Sequence, residues 1–384
     1  MIYLDNCATT RVLPEVAEAA SQAMREGFGH PASPHALGRD AAAALAEARA
    51  AVARFIGAAP DEVFFTSGGT EANNLAVLGA AYGAGPGSHL AASAVEHSSV
   101  IDALAALEAE GYLMSLVPVS PAGVADARGV LEAAGPRTSL VSLMYVNNET
   151  GAVQPVAEAG RLLKERWPQA LYHVDAVQAV GKLPVDVEAL RCDLLTLSAH
   201  KLHGPKGVGA LYVRSGVKLA PILFGGLRER GLRPGTENMP GIVAFQAALG
   251  LADPAEGKAL EALRDRLWRG LSRGMPGLIL NGPLAHGLRQ AAAPHILNVA
   301  VPGLAADRLV AGLSEQGVMV SLRSACAGHP EGSHVLAAMG LPAEVRRASL
   351  RLCLSRLNTP EEMDEAADIF AAVVEELELP GGPT

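Results

Sequence analysis

Basic charge is in short supply in this chain. Across 384 residues, 31 Lys and Arg stand against 40 Asp and Glu, giving a net charge of −9. No basic stripe appears, so direct nucleic-acid binding is not expected, although an acidic total leaves room for a local anion pocket. Cysteine is scarce as well. Cys7, Cys192, Cys326 and Cys353 are scattered, without the paired spacing of a zinc site or a disulfide framework. No metal is expected, and a reducing, cytoplasmic setting is. The N-terminus has no basic segment leading into an apolar one, so no secretory signal is expected. The longest uncharged stretch, Leu75 to Val95, is broken by Gly79, Gly83, Gly85, Pro86 and Gly87, so no membrane span is expected either. No internal repeat is visible.

A chain of this length that is 49% hydrophobic can fill a large core and more than one domain. Pro14 reads as a helix start, and Arg39 to Phe55 as a helix stopped by Gly57. Val63–Thr66 reads as a strand running into a glycine turn, Ser67-Gly68-Gly69-Thr70, that opens another helix. Such a turn aims free backbone N–H groups and a positive helix end at one point, which suits an anion. Further strands are expected at 115–119, 139–146, 171–174 and 193–198, with helices around 101–110 and 156–167. This alternation predicts an α/β fold, a mostly parallel sheet flanked by helices. In such sheets ligands gather at the carboxyl ends of the strands. There the sequence places Thr66-Ser67, Asn147-Asn148-Glu149, Asp175 with Gln178, and Ser198 to Lys201. From about Leu251 the pattern changes to a smaller α+β unit. It has helices at 260–271, 307–316 and 360–376, and extended runs at 278–282, 295–301, 318–321 and 350–354. The expected domains are 15–250 for the larger, cofactor-holding unit, and 1–14 with 251–384 for the smaller one.

Lys201 ends a buried apolar run, where desolvation lowers an amine's pKa and frees it as a nucleophile. If Lys201 holds an aldehyde cofactor as a Schiff base, pyridoxal phosphate needs four more groups. Gly68-Gly69-Thr70 with Ser198 and His200 offers a phosphate cradle. Asp175 offers an acid for the pyridine nitrogen, His97 a ring to stack and a proton carrier, and Arg351 a fork for a carboxylate.

Several stretches together resemble the cysteine desulfurases, pyridoxal phosphate enzymes of the class V aminotransferase fold. They include Tyr3-Leu4-Asp5, Thr66 to Asn74, Glu96-His97, Asn147 to Gly151, His173 to Gln178 and Ser198-Ala199-His200-Lys201. Gly204 to Gly207, Arg233-Pro234-Gly235-Thr236-Glu237-Asn238 and Ser324-Ala325-Cys326 complete the set. The resemblance spans nearly the whole chain in order. It implies the aspartate aminotransferase-like architecture, and it implies roles. Lys201 carries the cofactor, Asp175 pairs with the ring nitrogen, Gln178 meets the ring hydroxyl and His97 stacks. Gly69, Thr70, Ser198 and His200 bind phosphate, Thr236 reaches the phosphate of a neighbouring subunit in a homodimer, and Asn148, which also contacts the cofactor, holds the substrate carboxylate with Arg351. Cys326 accepts sulfur from L-cysteine as a persulfide, leaving L-alanine. The loop 327–332 reads as mobile, suited to passing sulfur to an acceptor protein or an iron–sulfur scaffold.

The sequence departs from the family pattern at several positions. His30 precedes Pro31 where an Asn is usual, Leu322 and Arg323 replace small residues before Ser324, and Cys7 replaces an Ala. Arg323 is expected to lower the Cys326 thiol pKa. A selenocysteine lyase or aminotransferase of the same fold, and a catalytically silent sulfur-transfer scaffold, are the alternative readings.

Overall fold

A computed structural model describes residues 1–253, 255–322 and 332–378. Its strands in chain order are β1 (Ile2–Tyr3), β2 (Val63–Thr66), β3 (His89–Ser93), β4 (Leu113–Val117), β5 (Thr138–Ser142) and β6 (Leu171–Asp175). Then come β7 (Leu194–Ser198), β8 (Gly209–Val213), β9 (Ile279–Asn281), β10 (Ile296–Ala300), β11 (Val318–Met319) and β12 (Ser349–Cys353). Seven of them form one sheet in the order β2-β8-β7-β6-β5-β3-β4. The run from β4 through β3, β5 and β6 to β7 is parallel, and β8 lies antiparallel between β2 and β7.

Period-two alternation sorts the side chains onto two buried faces. Phe64, Leu140, Leu194 and Leu211 point to one, against the helices Gly69–Ala84 and Ser98–Ala109. Phe65, Val141, Leu195 and Tyr212 point to the other, against Ala36–Ile56, Val156–Arg166 and Met239–Gly250. Covering both faces is why β7 is buried at every residue and reads as an unbroken apolar run. A three-stranded antiparallel sheet, β12-β10-β9, and the parallel pair β1-β11 surround a further core containing Leu4, Leu267, Val299, Leu313 and Phe370. The helices Glu256–Gly274 and Pro360–Glu378 pack on that core.

The expected elements form, with shifted ends. The helix around Arg39 begins at Ala36, because the His35 side chain accepts a hydrogen bond from Gly38 N and caps it. The run expected to 146 ends as a strand at Ser142. There the chain bends, and Asn147 Oδ1 accepts from the backbone N–H of Glu149 and Thr150, a local turn that competes with the sheet. The strand expected at 115–119 sits at Leu113–Val117. Two helices and one strand carry no strong pattern in the sequence. Ala127–Ala133 is announced only by its Asp126 cap, Met239–Gly250 is apolar nearly all round, and β3 hides inside the uncharged stretch.

One strut crosses the larger sheet's edge. Glu229 has a left-handed φ of 43° and Arg230 of 52°, a conformation costly for residues with a Cβ. Glu229 is held there by Arg49, whose two terminal nitrogens reach its carboxylate at 2.6 and 2.7 Å, and by Phe65 N at 3.0 Å.

Helix Val156–Arg166 lies so close to its neighbours that a Cβ on Gly160 would fall 2.2 Å from Leu190 O and 2.9 Å from Tyr172 Cε1. Alanine at a helix interior gains about 1 kcal/mol over glycine, whereas overpacking a rigid core costs about 1–3 kcal/mol. Because the obstructing atom is a backbone carbonyl, the overlap wins. Gly160→Ala is expected to lower unfolding stability by up to about 2 kcal/mol in urea titrations, against the helix-propensity trend.

Candidate active site

The carboxyl ends of β2, β6 and β7 meet over one pocket. Its lining includes Gly69, Thr70, His97, Asn148, Asp175, Gln178, Ser198, His200, Lys201 and Arg351. Lys201 follows β7 after a single tight turn, Ala199–Lys201. Its amine does not face solvent. It donates to Cys7 O at 2.5 Å and to Ala8 O at 2.8 Å, in an N-terminal loop that Thr10 fastens by donating to His200 O at 3.0 Å. Burial is the main force that lowers the Lys201 pKa to about 8, with Arg351 adding to it. A sizeable neutral fraction is thus present near neutral pH.

Asp175 closes β6. Its carboxylate accepts from Asn73 Nδ2 at 2.8 Å and from Val177 N at 2.9 Å, which fixes it toward the pocket. Asn73 also donates to Ser99 Oγ at 2.8 Å, and Ser99 Oγ meets His97 Nδ1 at 2.8 Å. One hydrogen-bonded series therefore sets the acid and the imidazole. Burial lowers the His97 pKa, which favours the neutral ring, the form able to take a proton. Behind Asp175 lies a second polar series. Glu96 accepts from Ser93 Oγ and Met144 N at 2.5 and 2.7 Å and from Ser142 Oγ at 3.3 Å. Ser142 in turn meets His173 Nδ1 at 2.8 Å, and His173 Nε2 meets Thr196 Oγ1 at 3.0 Å. Burial pushes Glu96 up to about 7 and His173 down to about 4. Burial thus disfavours the charged form of each, which limits the charge this wall places beside Asp175.

An anion fits at the other end. Gly68, with φ of 151°, turns the chain from β2 into helix Gly69–Ala84, leaving that helix's first N–H groups free. Ser198 Oγ is buried and has no hydrogen-bond partner, and it lies 3.8 Å from where a Gly68 Cβ would sit. Gly209 is required beside this turn, since its Cβ would come within 2.8 Å of Gly68 Cα. A buried unpaired hydroxyl is costly, and a phosphate oxygen satisfies it. His200 has its Nδ1 3.2 Å from Thr9 Oγ1, and burial with the nearby Lys201 lowers its pKa to about 4. The hydroxyl, the glycine turn, the fixed acid and the amine fit pyridoxal phosphate.

Arg351 arrives from β12. Its guanidinium is 1% exposed and already donates to Ser321 Oγ, Asn148 O and Asp5 Oδ1, at 3.1, 2.9 and 3.0 Å. The remaining N–H groups stay available on the pocket side for a carboxylate. Gln178 Nε2 donates to Cys7 O at 3.1 Å.

Two expected positions, and the departure at His30, are not part of this lining. Thr236 is exposed, on a loop that Arg233 ties to Glu71 by a 2.8 Å ion pair. His30 is exposed and accepts from Ala32 N in its own loop. Cys326, with Arg323 and the loop after it to residue 331, lies outside the described residues. The pocket also includes residues to which the sequence reading gave no role: Cys7, Ala8, Asn73, Ser99, Met144 and Val177. Asn73 was legible in principle, one helical turn beyond Thr70. Cys7 was not, since only the fold brings it to Lys201.

Comparison with known proteins points the same way. The aminotransferase class-V family profile matches residues 2–365. The chain is 41% identical over 381 residues to the cysteine desulfurase IscS of Methanosarcina thermophila, covering 98% of this chain and 92% of the relative. Among solved structures it is similar to a NifS-like protein, with a TM-score of 0.90 and 36% identity over 97% of this chain and 99% of the other. A structure described as SspA in complex with cysteine gives a TM-score of 0.82 and 32% identity, over 94% of this chain and 100% of that one.

Only the neutral Lys201 amine can add to an aldehyde. The rate at which apoenzyme captures pyridoxal phosphate is therefore expected to rise with pH and level off above about 8. Stopped-flow absorbance across pH 6–11 checks this (a range of about five units around the reference value). A rate still climbing near pH 10 would mean an amine unperturbed by its surroundings.

Proposed function

The chain belongs to the cysteine desulfurases of the aminotransferase class-V family, and on that premise we propose how its own residues carry the reaction. The observation that carries the reading is the meeting of the Lys201 amine, the Asp175 carboxylate and the Arg351 guanidinium in one pocket. Pyridoxal phosphate, when bound, supplies an electron sink for the pair left as the substrate's Cα–H bond breaks. Gly69, Thr70, Ser198 and His200 hold its phosphate, Asp175 keeps its ring nitrogen protonated, Gln178 meets its hydroxyl, and His97 covers the ring. Arg351 and Asn148 anchor the carboxylate of L-cysteine. Lys201, whose amine is partly neutral, takes the α-proton, and neutral His97 carries a proton near the substrate sulfur. The Cys326 thiolate attacks that sulfur, the C–S bond breaks with its electron pair going to carbon, and a proton completes L-alanine. The balance is L-cysteine plus Cys326 thiol giving L-alanine plus Cys326 persulfide.

In this reading residues 15–250 hold the cofactor, while 1–14 and 251–384 form the unit that brings Cys326. The persulfide then serves an acceptor protein or iron–sulfur scaffold. Cys7, Cys192 and Cys353 are free thiols, which suits a reducing, cytoplasmic compartment, and no helix among the described residues is long and apolar enough to cross a membrane. A homodimer is supported by the exposed apolar side chains of Phe28, Phe224 and Leu227, which a monomer would leave in water. Thr236, on the neighbouring loop, would reach the partner's phosphate.

Cofactor-loaded protein is expected to release L-alanine from L-cysteine, with Cys326→Ser abolishing release while cofactor absorbance stays. Arg351→Lys is expected to raise KM for cysteine on the order of tenfold or more, since a charged hydrogen bond contributes about 1.5–3 kcal/mol. Alanine from neither wild type nor variant, with the cofactor bound, would overturn the reading. Analytical ultracentrifugation is expected to show a dimer that Phe224→Asp with Leu227→Asp converts to monomer. A wild-type monomer would remove Thr236 from the site.

A further inference from the structure

The mechanism above leaves two buried thiols unused beside the pocket. Cys7 lines it and is 2% exposed, while Cys353 is fully buried. They come together because the N-terminal segment lies along β12. Asp5 bridges to Cys353, Cys353 N donates to Leu4 O at 2.6 Å, and Asn6 Nδ2 donates to Cys353 O at 2.9 Å. Cys353 stands two residues beyond Arg351 on the same strand face. A third group completes the cluster. His295, just ahead of β10, lies opposite Leu354, whose backbone N donates to its carbonyl at 2.8 Å; it is 1% exposed, and neither ring nitrogen has a hydrogen-bond partner. Its polar neighbour is the Cys7 thiol. An unpartnered imidazole this deep is costly and points to a task.

The two thiols differ in character. Burial opposes ionisation of Cys7, yet contacts from Cys353 and His295 and the Arg351 charge overcome it and hold the thiol well below its usual range. Burial and the adjacent Cys7 push Cys353 well above. One thiol is set to attack and the other stays protonated until needed, the division of labour of a reactive thiol and its resolving partner.

We propose that Cys7 and Cys353 form a second sulfur-handling site, which takes the outer sulfur of a small persulfide or polysulfide entering the pocket and discharges it as hydrogen sulfide. The Cys7 thiolate attacks the outer sulfur of R–S–SH, the S–S bond breaks, and R–S⁻ leaves with the electron pair and collects a proton. Cys353 attacks the inner sulfur of the Cys7 persulfide and releases its proton as the S–S bond forms. HS⁻ leaves, taking that proton. The sum is R–S–SH plus two thiols giving R–SH, H₂S and a Cys7–Cys353 disulfide. The sulfane sulfur is reduced and the thiol pair oxidised, and sulfane sulfur is what the proposed desulfurase reaction generates. The site needs neither Cys326 nor turnover, so it stands apart from the reading above.

The test uses cofactor-loaded Cys326→Ser protein treated with inorganic polysulfide, then alkylated and digested without reductant. Mass spectrometry is expected to find the Cys7–Cys353 cross-linked peptide, with at least one hydrogen sulfide per cross-link released above a protein-free polysulfide control. In the same background Cys353→Ser is expected to leave Cys7 carrying one extra sulfur. Recovery of Cys7 and Cys353 as free thiols would overturn the proposal. So would equal labelling of Cys192, a fully buried thiol away from the pocket that burial pushes far up, because that would mean reaction through unfolding.

Discussion

An ammonium taken out of water has to be met by acceptors, and in this fold the acceptors come from the far end of the chain. The Lys201 amine rests on the carbonyls of Cys7 and Ala8, and that contact depends on everything that holds the N-terminal loop in place. Thr10 is hydrogen-bonded to the chain around His200 and His203, Asn6 to β12, and Asp5 to Arg351. The same loop thereby links the amine, which handles the aldehyde, to the guanidinium, which handles the carboxylate. Displacing it would disturb both ends of the substrate at once. Carbonyl acceptors also suit the task better than a carboxylate would. They satisfy the amine's N–H groups without a full negative charge, so burial can lower its pKa.

Behind the ring site the same economy of charge applies. A carboxyl, an imidazole and several hydroxyls are buried together, and burial raises Glu96 to about 7 and lowers His173 to about 4, disfavouring the charged form of each. Asp175, at the end of β6, is held by an amide and a backbone N–H rather than by a cation. A cation there would compete with a protonated ring nitrogen. Polar neutral partners orient the acid and leave its charge for the ligand.

Much of this was legible before any coordinates. The strands ending at Thr66, Asp175 and Ser198 announce themselves as apolar runs stopped by polar groups, and the glycine turn after β2 is plain. Those signals are local, and they named Gly69, Thr70, Asp175, Ser198 and Lys201. What stayed hidden is non-local. Asn73 gave no sign of which carboxylate it would serve. Cys7 looked like a neutral replacement because its neighbours, Lys201, His295 and Cys353, lie hundreds of positions away in sequence. Thr236 was named through a resemblance, and the single chain leaves it on the surface. Helix Met239–Gly250 escaped because a helix apolar on all sides has no periodicity to read.

The strut between Arg49 and Glu229 bears on how such a sequence can drift. The carboxylate of Glu229 answers three demands together: it pairs with the arginine fork, it receives Phe65 N, and it holds its own backbone in a left-handed turn. Exchanging the two charges would leave Phe65 N facing a guanidinium, which has no acceptor. Neither position can move first and the pair cannot be mirrored, so two sites separated by 180 residues are bound to a single shared history of substitution.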